Sequence, residues 1–319
     1  MNNFLLVRLS SMGDLIHTFP AITDLAHSKS NISLSWLCEE AFADIASLHP
    51  FIQHVYPMNG RKWHKNWFKK QTREQMTQLK KQLRSENFDG VIDSQGLIKS
   101  AYYARFAKAP VHGPDRNSAR EGLASLLYQH TYAVSYEQPA ITRYRQLFAQ
   151  IFQYPVPETC NFGIRVPEIS AQFDWLDIPY AVLLHATSQS RKFWPQSHWQ
   201  ELAKLLWLKK GLVSFLPWGN EKEHQQAQNI AQSFEYIKIC PKLTLKEMAV
   251  FLNSATCIAG VDTGLLHLAN ALDKPLCGIY TDTDPSKTGV VETEKSVNIG
   301  SIGIIPQAVE VFEKLNIMT

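Results

Sequence analysis

The sequence predicts an α/β protein of two Rossmann-like domains, each a parallel sheet covered on both faces by helices. Three observations carry this. At 319 residues the chain is about twice the usual domain length. Short, continuously apolar runs alternate with amphipathic stretches, the pattern left by strands buried on both faces and the helices that cross between them. The alternation runs through the first half and is repeated in the second.

In the first half, FLLVRL (4–9) reads as a strand, PAITDLAHS (20–28) as a helix and ISLSWLC (32–38) as a strand. GVID (90–93) follows as a strand and IKSAYYARFA (98–107) as a helix. In the second half, AVLLHA (181–186), LVSFLPW (212–218), CIAGV (257–261) and LCGIY (276–280) read as strands. Between them, HWQELAKLLWLKK (198–210), NEKEHQQAQNIAQSF (220–234) and LLHLANALD (265–273) read as helices. The stretch 154–180 holds four prolines and has weak periodicity, so it reads as a connector plus the approach to the second sheet. The expected domains are 1–165 and 166–319, with a C-terminal helix free to pack back on the first. No G-x-G-x-x-G follows the first strand, which removes the dinucleotide fingerprint of a dehydrogenase.

Composition narrows the function classes. Apolar residues make up 45% and charged residues 19%, enough to bury two cores and too little charge for a disordered chain. A formal charge of +3 is small for this length and argues against a nucleic-acid binder. Cys38, Cys160, Cys240, Cys257 and Cys277 are scattered, without metal-ligand spacing, and suggest a reducing compartment rather than disulfides or zinc. The first apolar run is too short for a signal-peptide core. Lys209 and Lys210 interrupt LLWLKKGLVSFL, so this run stops short of the roughly 20 residues that span a bilayer. The expectation is a cytoplasmic protein that meets a membrane, if at all, at its surface.

Five motifs could carry chemistry. In RLSSMGDLIHTFPA (8–21) a flexible turn presents Asp14 at the carboxyl edge of the first sheet, where ligands of open α/β sheets bind. Asp14 either takes a proton from an attacking hydroxyl or caps the helix that follows. In GVDTGLLHLANALDKP (260–275) a strand delivers Asp262, Thr263 and Gly264 to a helix N-terminus suited to a diphosphate, with His267 one turn along. The alternative is a capped junction with a core histidine. HATSQSRKFWP (185–195) offers Thr187, Ser188 and Lys192 to a phosphate, and PWGNEKEH (217–224) places Glu223 at a helix start, near enough for ribose hydroxyls or simply for the helix dipole. Last, RKWHKNWFKKQTREQMTQLKKQLR (61–84) holds nine Lys and Arg against one Glu, interleaved with Trp63, Trp67 and Phe68. If helical, it would set Trp63 and Trp67 on one face, against sugar rings or lipid headgroups.

Taken in order along nearly the whole chain, SSMGD, FDGVIDSQGLIKSA, SAREGLASLLY, HATSQSRKFWP, LPWGNEKE and GVDTGLLHLANALDKP resemble the heptosyltransferases, glycosyltransferase family 9. The resemblance implies a GT-B fold, two Rossmann-like domains facing across a cleft, the N-terminal one binding acceptor and the C-terminal one donor. It implies ADP-L-glycero-D-manno-heptose as donor and a Kdo residue of Kdo-lipid A as acceptor, at the cytoplasmic face of the inner membrane. It makes Asp14 the general base, with Lys192 stabilising the leaving group. Thr187, Ser188, Lys192, Thr263 and Gly264 then bind the phosphates, Glu223 the ribose and Asp262 the heptose, with His267 facing the same donor end. Arg61, Lys62, Lys65 and Arg120 fall where the family has acceptor-binding residues, although His64 stands where an arginine is expected. No metal or other cofactor is implied, and TDTDP (281–285) reads as a turn after a strand. A family member acting on a later core acceptor, a sugar-nucleotide epimerase, and a non-enzymatic nucleotide-sugar binder are the competing readings. An epimerase has no use for the basic aromatic segment, and a mere binder has none for Asp14.

Overall fold

A computed structural model describes residues 2–166, 168, 178–187, 189–232 and 234–319. Of the expected connector, residues 167 and 169–177 lie outside the described residues. The chain divides into two compact units, Met1–Arg165 and Val166–Thr319.

The first unit is built on six parallel strands: β1 (Asn2–Val7), β2 (Ile32–Glu39), β3 (Ile52–Met58), β4 (Gly90–Asp93), β5 (Val111–Pro114) and β6 (His130–Tyr132), in the order β3-β2-β1-β4-β5-β6. Leu5, Leu6 and Val7 have no exposed surface, because β1 is flanked on both edges by strands and on both faces by helices. The second unit repeats the design with β7 (Tyr180–Leu184), β8 (Val213–Leu216), β9 (Ile237–Ile239), β10 (Cys257–Val261), β11 (Leu276–Tyr280) and β12 (Ser296–Gly300), in the order β12-β11-β10-β7-β8-β9. Its core gathers Leu183, Trp194, Trp199, Leu206 and Val261, and the C-terminal helix Ala308–Met318 adds Ala308, Val311 and Leu315 to it.

Both sheets therefore share one doubly wound order. In each, the chain reverses direction across the sheet between the unit's first and fourth strands, and ligands of such sheets bind beyond the carboxyl ends of that pair. The positions that matter are the loops after β1 and β4 in one unit, and after β7 and β10 in the other.

Two expectations need correction. The first helix runs from Met12 to Ser28 and carries Pro20 inside it, rather than beginning at Pro20. An internal proline forfeits one backbone hydrogen bond, but the helix buries Leu15, Ile16, Phe19, Ile22 and Leu25 along one flank, and its start is fixed by Asp14 reaching back to Ser11. The basic segment 61–84 is likewise not one helix with a shared tryptophan face. It folds as Gly60–Lys65 and Lys70–Ser85. Trp63 is a core residue whose indole N–H donates to Gln75 Oε1 at 2.9 Å, whereas Trp67 is 60% exposed.

The connector is anchored to the first unit by Arg145, whose guanidinium pairs with the buried Asp24 at 2.6 Å and donates to the carbonyls of Pro157 and Thr159, each at 2.7 Å. Farther along, Gly163, at φ +61, packs on the Thr23–His49 pair, where a Cβ would stand 2.3 Å from Thr23 Oγ1. Burial, with a smaller repulsion from His27, pushes His49 down from 6.5 to about 4. The unfolded chain thus binds the proton more tightly than the folded one. The neutral ring's contribution is complete above pH 6.5 and is lost as pH falls from there toward 4, worth on the order of 3 kcal/mol in full. Chemical denaturation at pH 7 and pH 4.5 should show this loss, and His49→Gln should flatten it. An equally steep loss in the variant would place the pH sensitivity elsewhere.

Candidate active site

Beyond the β1/β4 ends of the first sheet lies a cavity of about 70 Å³ lined by Arg8, Ser10, Asp14, Ser94, Gln95, Arg120, Arg143 and Tyr144, among others. Its floor is set by the strand ends. Arg8 follows β1, its guanidinium 4.2 Å above the Tyr144 ring, and only 3% of the residue is exposed. Its Nε and Nη2 are buried without a hydrogen-bond partner among the described residues. The loop after β4 is pinned by Asp93. That carboxylate is fully buried and accepts from the Gln95 and Gly96 amides, the Ser100 hydroxyl and the Tyr128 hydroxyl. Gln95 Oε1 in turn accepts the Leu9 amide at 2.8 Å, which locks the two loops together.

Asp14 sits in the first turn of its helix. Its carboxylate accepts from the Ser11 amide at 3.1 Å and the Ser11 hydroxyl at 2.9 Å, and the Tyr144 hydroxyl donates to its other oxygen at 3.3 Å. The capping geometry and the presentation of a carboxylate to the cavity are thus both realised by the same residue. Burial is the largest single influence and raises its pKa, but the Arg8 charge, the two bonds from Ser11 and His17 together outweigh it, so Asp14 titrates below the usual carboxylate range. At neutral pH it is ionised and able to accept a proton.

Beyond the β7/β10 ends of the second sheet, four groups converge on Asp262. Lys192 Nζ lies 2.6 Å from Oδ2, the Thr283 hydroxyl donates to the same oxygen at 3.0 Å, and His267 Nε2 stands 3.9 Å from Oδ1. The Thr187 hydroxyl donates to the Asp262 carbonyl at 3.2 Å. Asp262 precedes Thr263, which stands at the N-terminus of the helix Gly264–Ala271 without a side-chain capping bond, so the helix's first-turn N–H groups open beside a cation. Such an end holds phosphate. The loop bearing Lys192 is braced by Arg191, which pairs with Asp282 at 2.9 Å, while Asp284 caps its own short helix through Ser286. Both aspartates of TDTDP thus have partners in the protein.

The expected residues do not all come together. Asp14 and Arg120 line one cavity. Thr187, Lys192, Asp262 and His267 form one cluster, with Thr263 and Gly264 at its edge. Glu223 accepts from the Gly219 amide and the Asn220 side chain, each at 2.7 Å, so its carboxylate closes the start of its own helix. Arg61, Lys62 and Lys65 are exposed on the helix Gly60–Lys65 and do not line the Asp14 cavity. Ser188 lies outside the described residues. Sequence reasoning missed Arg8, Arg143, Tyr144 and Thr283. Of these only Arg8 carried a signal, a cation one residue past an apolar strand.

The family model for glycosyltransferase family 9 (heptosyltransferase) matches residues 76–314. The chain is 40% identical over 299 residues to lipopolysaccharide heptosyltransferase 1 of Pseudomonas aeruginosa, covering 93% of this chain and 83% of that one. Among solved structures, the Escherichia coli heptosyltransferase WaaC with ADP superposes with a TM-score of 0.91 at 36% identity, over 99% of this chain and 100% of that one. The same E. coli enzyme with ADP-2-deoxy-2-fluoro heptose gives 0.86 at 36% identity, over 98% and 99%. Sequence and fold agree over most of the chain, which belongs to glycosyltransferase family 9, the heptosyltransferases.

Proposed function

We propose that this protein transfers L-glycero-D-manno-heptose from ADP-heptose to a Kdo residue of Kdo-lipid A, with inversion, in assembly of the lipopolysaccharide inner core. The observation that carries the reading is the single carboxylate of the β1/β4 cavity, Asp14, set among Arg8, Arg120 and Arg143. A site that holds an anionic sugar and deprotonates its hydroxyl needs that charge arrangement. The reading is supported by the relatives' names and by the nucleotide complexes of the E. coli enzyme.

The attacking hydroxyl oxygen bonds to the anomeric carbon while the bond from that carbon to the ADP oxygen breaks. The hydroxyl proton passes to Asp14, and the departing electron pair stays on the diphosphate. Lys192, Thr187 and the N–H groups of the helix Gly264–Ala271 stabilise that charge as it develops. Glu223 serves the ribose, and Asp262, through Lys192, the heptose. No step calls for a metal ion.

The purified protein, given ADP-heptose and a lipid A precursor carrying one Kdo, phosphorylated Kdo or two Kdo, should release ADP and add one heptose. The rate should be the same in EDTA. Transfer only to a core that already carries heptose would reassign the acceptor, and collapse in EDTA with recovery in magnesium would overturn the metal-free mechanism.

Among the described residues no helix is long and apolar enough to cross a membrane. Contact with an anionic lipid surface falls to the exposed cations Arg61, Lys62 and Lys65 and to Trp67 and Phe68, which are 60% and 82% exposed. Arg61→Ala with Lys62→Ala, or Trp67→Ala with Phe68→Ala, should raise KM for acceptor embedded in vesicles and leave KM for ADP-heptose alone. The charge pair's effect should shrink as salt screens it over about 8–10 Å. A change confined to the donor KM would detach this face from the acceptor.

A further inference from the structure

Arg8 has no atom-level partner in the reaction as written, and its surroundings make it costly to keep. It is buried, its charge faces an aromatic ring, and two of its nitrogens lack partners among the described residues. A buried guanidinium with unmet donors is a strong demand for an acceptor group, since such donors forfeit the water they had in the unfolded chain. Asp14, the one carboxylate among the described residues that lines its cavity, is engaged by Ser11 and Tyr144. The cavity, about 70 Å³, leaves room for an acceptor group to reach Arg8. Arg143 and Arg120 line the same cavity, and Arg143 Nε is also buried and unmet.

We propose that the carboxylate of the sugar-acid acceptor docks on Arg8 and, by cancelling the guanidinium charge beside Asp14, switches Asp14 from a weak to an effective proton acceptor. The inference rests on the reading of Asp14 as base and of the acceptor as a 2-keto sugar acid. It adds that the acceptor prepares its own deprotonation.

Several groups face Asp14. From its own helix comes His17 and from the residue that precedes that helix Ser11, from the end of β1 comes Arg8, and from the helix Ala140–Phe152 come Arg143 and Tyr144. Arg120 lies across the cavity, and the β4 loop offers only the neutral Ser94 and Gln95. Of these, Arg8 exerts the strongest hold on the ionised form of Asp14. While Arg8 is uncompensated, Asp14 stays ionised but has little affinity for a proton. A carboxylate placed on Arg8 removes that hold and adds a like charge, and both effects raise Asp14's proton affinity. A base matched to its task lies closer to the operating pH, so the cavity would keep Asp14 weak until an acceptor arrives.

The test is a carboxyl ¹³C titration of the full-length protein labelled at aspartate, with Asp14→Asn identifying the resonance. It is run free, with saturating Kdo monosaccharide, and with its carboxamide. Kdo should move the Asp14 midpoint up by about one pH unit or more. The carboxamide should not. Free Arg8→Gln should titrate higher than the free wild-type protein, and Arg8→Lys should stay near it. Should Arg8→Gln fail to fold, the acid and carboxamide arms on the wild-type protein decide alone. A midpoint unmoved by Kdo, moved equally by the carboxamide, or Kdo that does not bind, overturns the proposal. The parent reading fails separately, if Asp14→Asn transfers heptose at the normal rate.

Discussion

Asp14→Asn is expected to lower kcat by about 10²–10⁴-fold, the usual contribution of a general base, while leaving ADP binding and folding nearly unchanged. The amide keeps one oxygen for the Ser11 amide and hydroxyl, which now bond Asp14 at 3.1 and 2.9 Å, so the helix start loses little. What it loses is the site for the proton. Because Asp14 titrates below the usual carboxylate range in the free protein, wild-type kcat/KM for acceptor should hold nearly flat on the acid side until well below neutral pH. Steady-state kinetics at saturating donor and acceptor, paired with a thermal melt, checks both statements. Full turnover by the asparagine variant would remove Asp14 from the proton's path.

Lys192→Ala should cost about 10²–10³-fold in kcat, the range seen when one donor to a developing oxyanion is removed, and should weaken ADP as well. A second effect separates it from a surface lysine. The Lys192 and Asp262 side chains are only 17% and 10% exposed and lie 2.6 Å apart, so deleting the cation strands a nearly buried carboxylate with only Thr283 and a distant His267 beside it. A stability loss of about 1–3 kcal/mol should accompany the loss of activity. Lys192→Arg keeps the charge and should keep the stability, while the planar fork, unable to reproduce the point contact, leaves activity impaired. Calorimetry with ADP, single-turnover rates and denaturant unfolding give the three readouts. Unchanged ADP affinity together with unchanged turnover would return Lys192 to the role of a solvated loop residue.

The elements that were legible in the sequence are those buried on both sides. β4, β10 and β11 match GVID, CIAGV and LCGIY residue for residue, since a central parallel strand is continuously apolar and stops where it meets polar loops. β5, β6 and β9 were not seen, because strands as short as VHGP, HTY and IKI leave no periodicity to read. β3, at the sheet's edge, reads IQHVYPM with no regular alternation, and the helix Ala140–Phe152 hides its burial behind four charged or amide side chains, one of which, Arg145, is itself buried in an ion pair. The site divides the same way. Loops that directly follow central strands gave up Asp14, Lys192 and Asp262. Arg143 and Tyr144 reach the cavity from a helix some 130 residues away in sequence from Asp14, and no local pattern announces a contact of that range. Trp63 erred in the opposite direction, looking like a surface aromatic because its neighbours are charged although its own indole points into the core.

β1 lies between β2 and β4, so its second edge stays open until β4 has been made. Its partner at Gly90–Asp93 is synthesised more than 80 residues later, which at about 5–20 residues per second is a delay of roughly 4–16 seconds. Throughout that interval one edge of an FLLV segment has no strand beside it. The second unit repeats the situation, since β7 must wait for β10. A nascent chain of this order therefore passes twice through a stage with an exposed apolar edge, when a holding chaperone has most to bind. A ribosomal pause that slows either interval prolongs exposure of the same two segments around which the loops of the candidate site are later arranged.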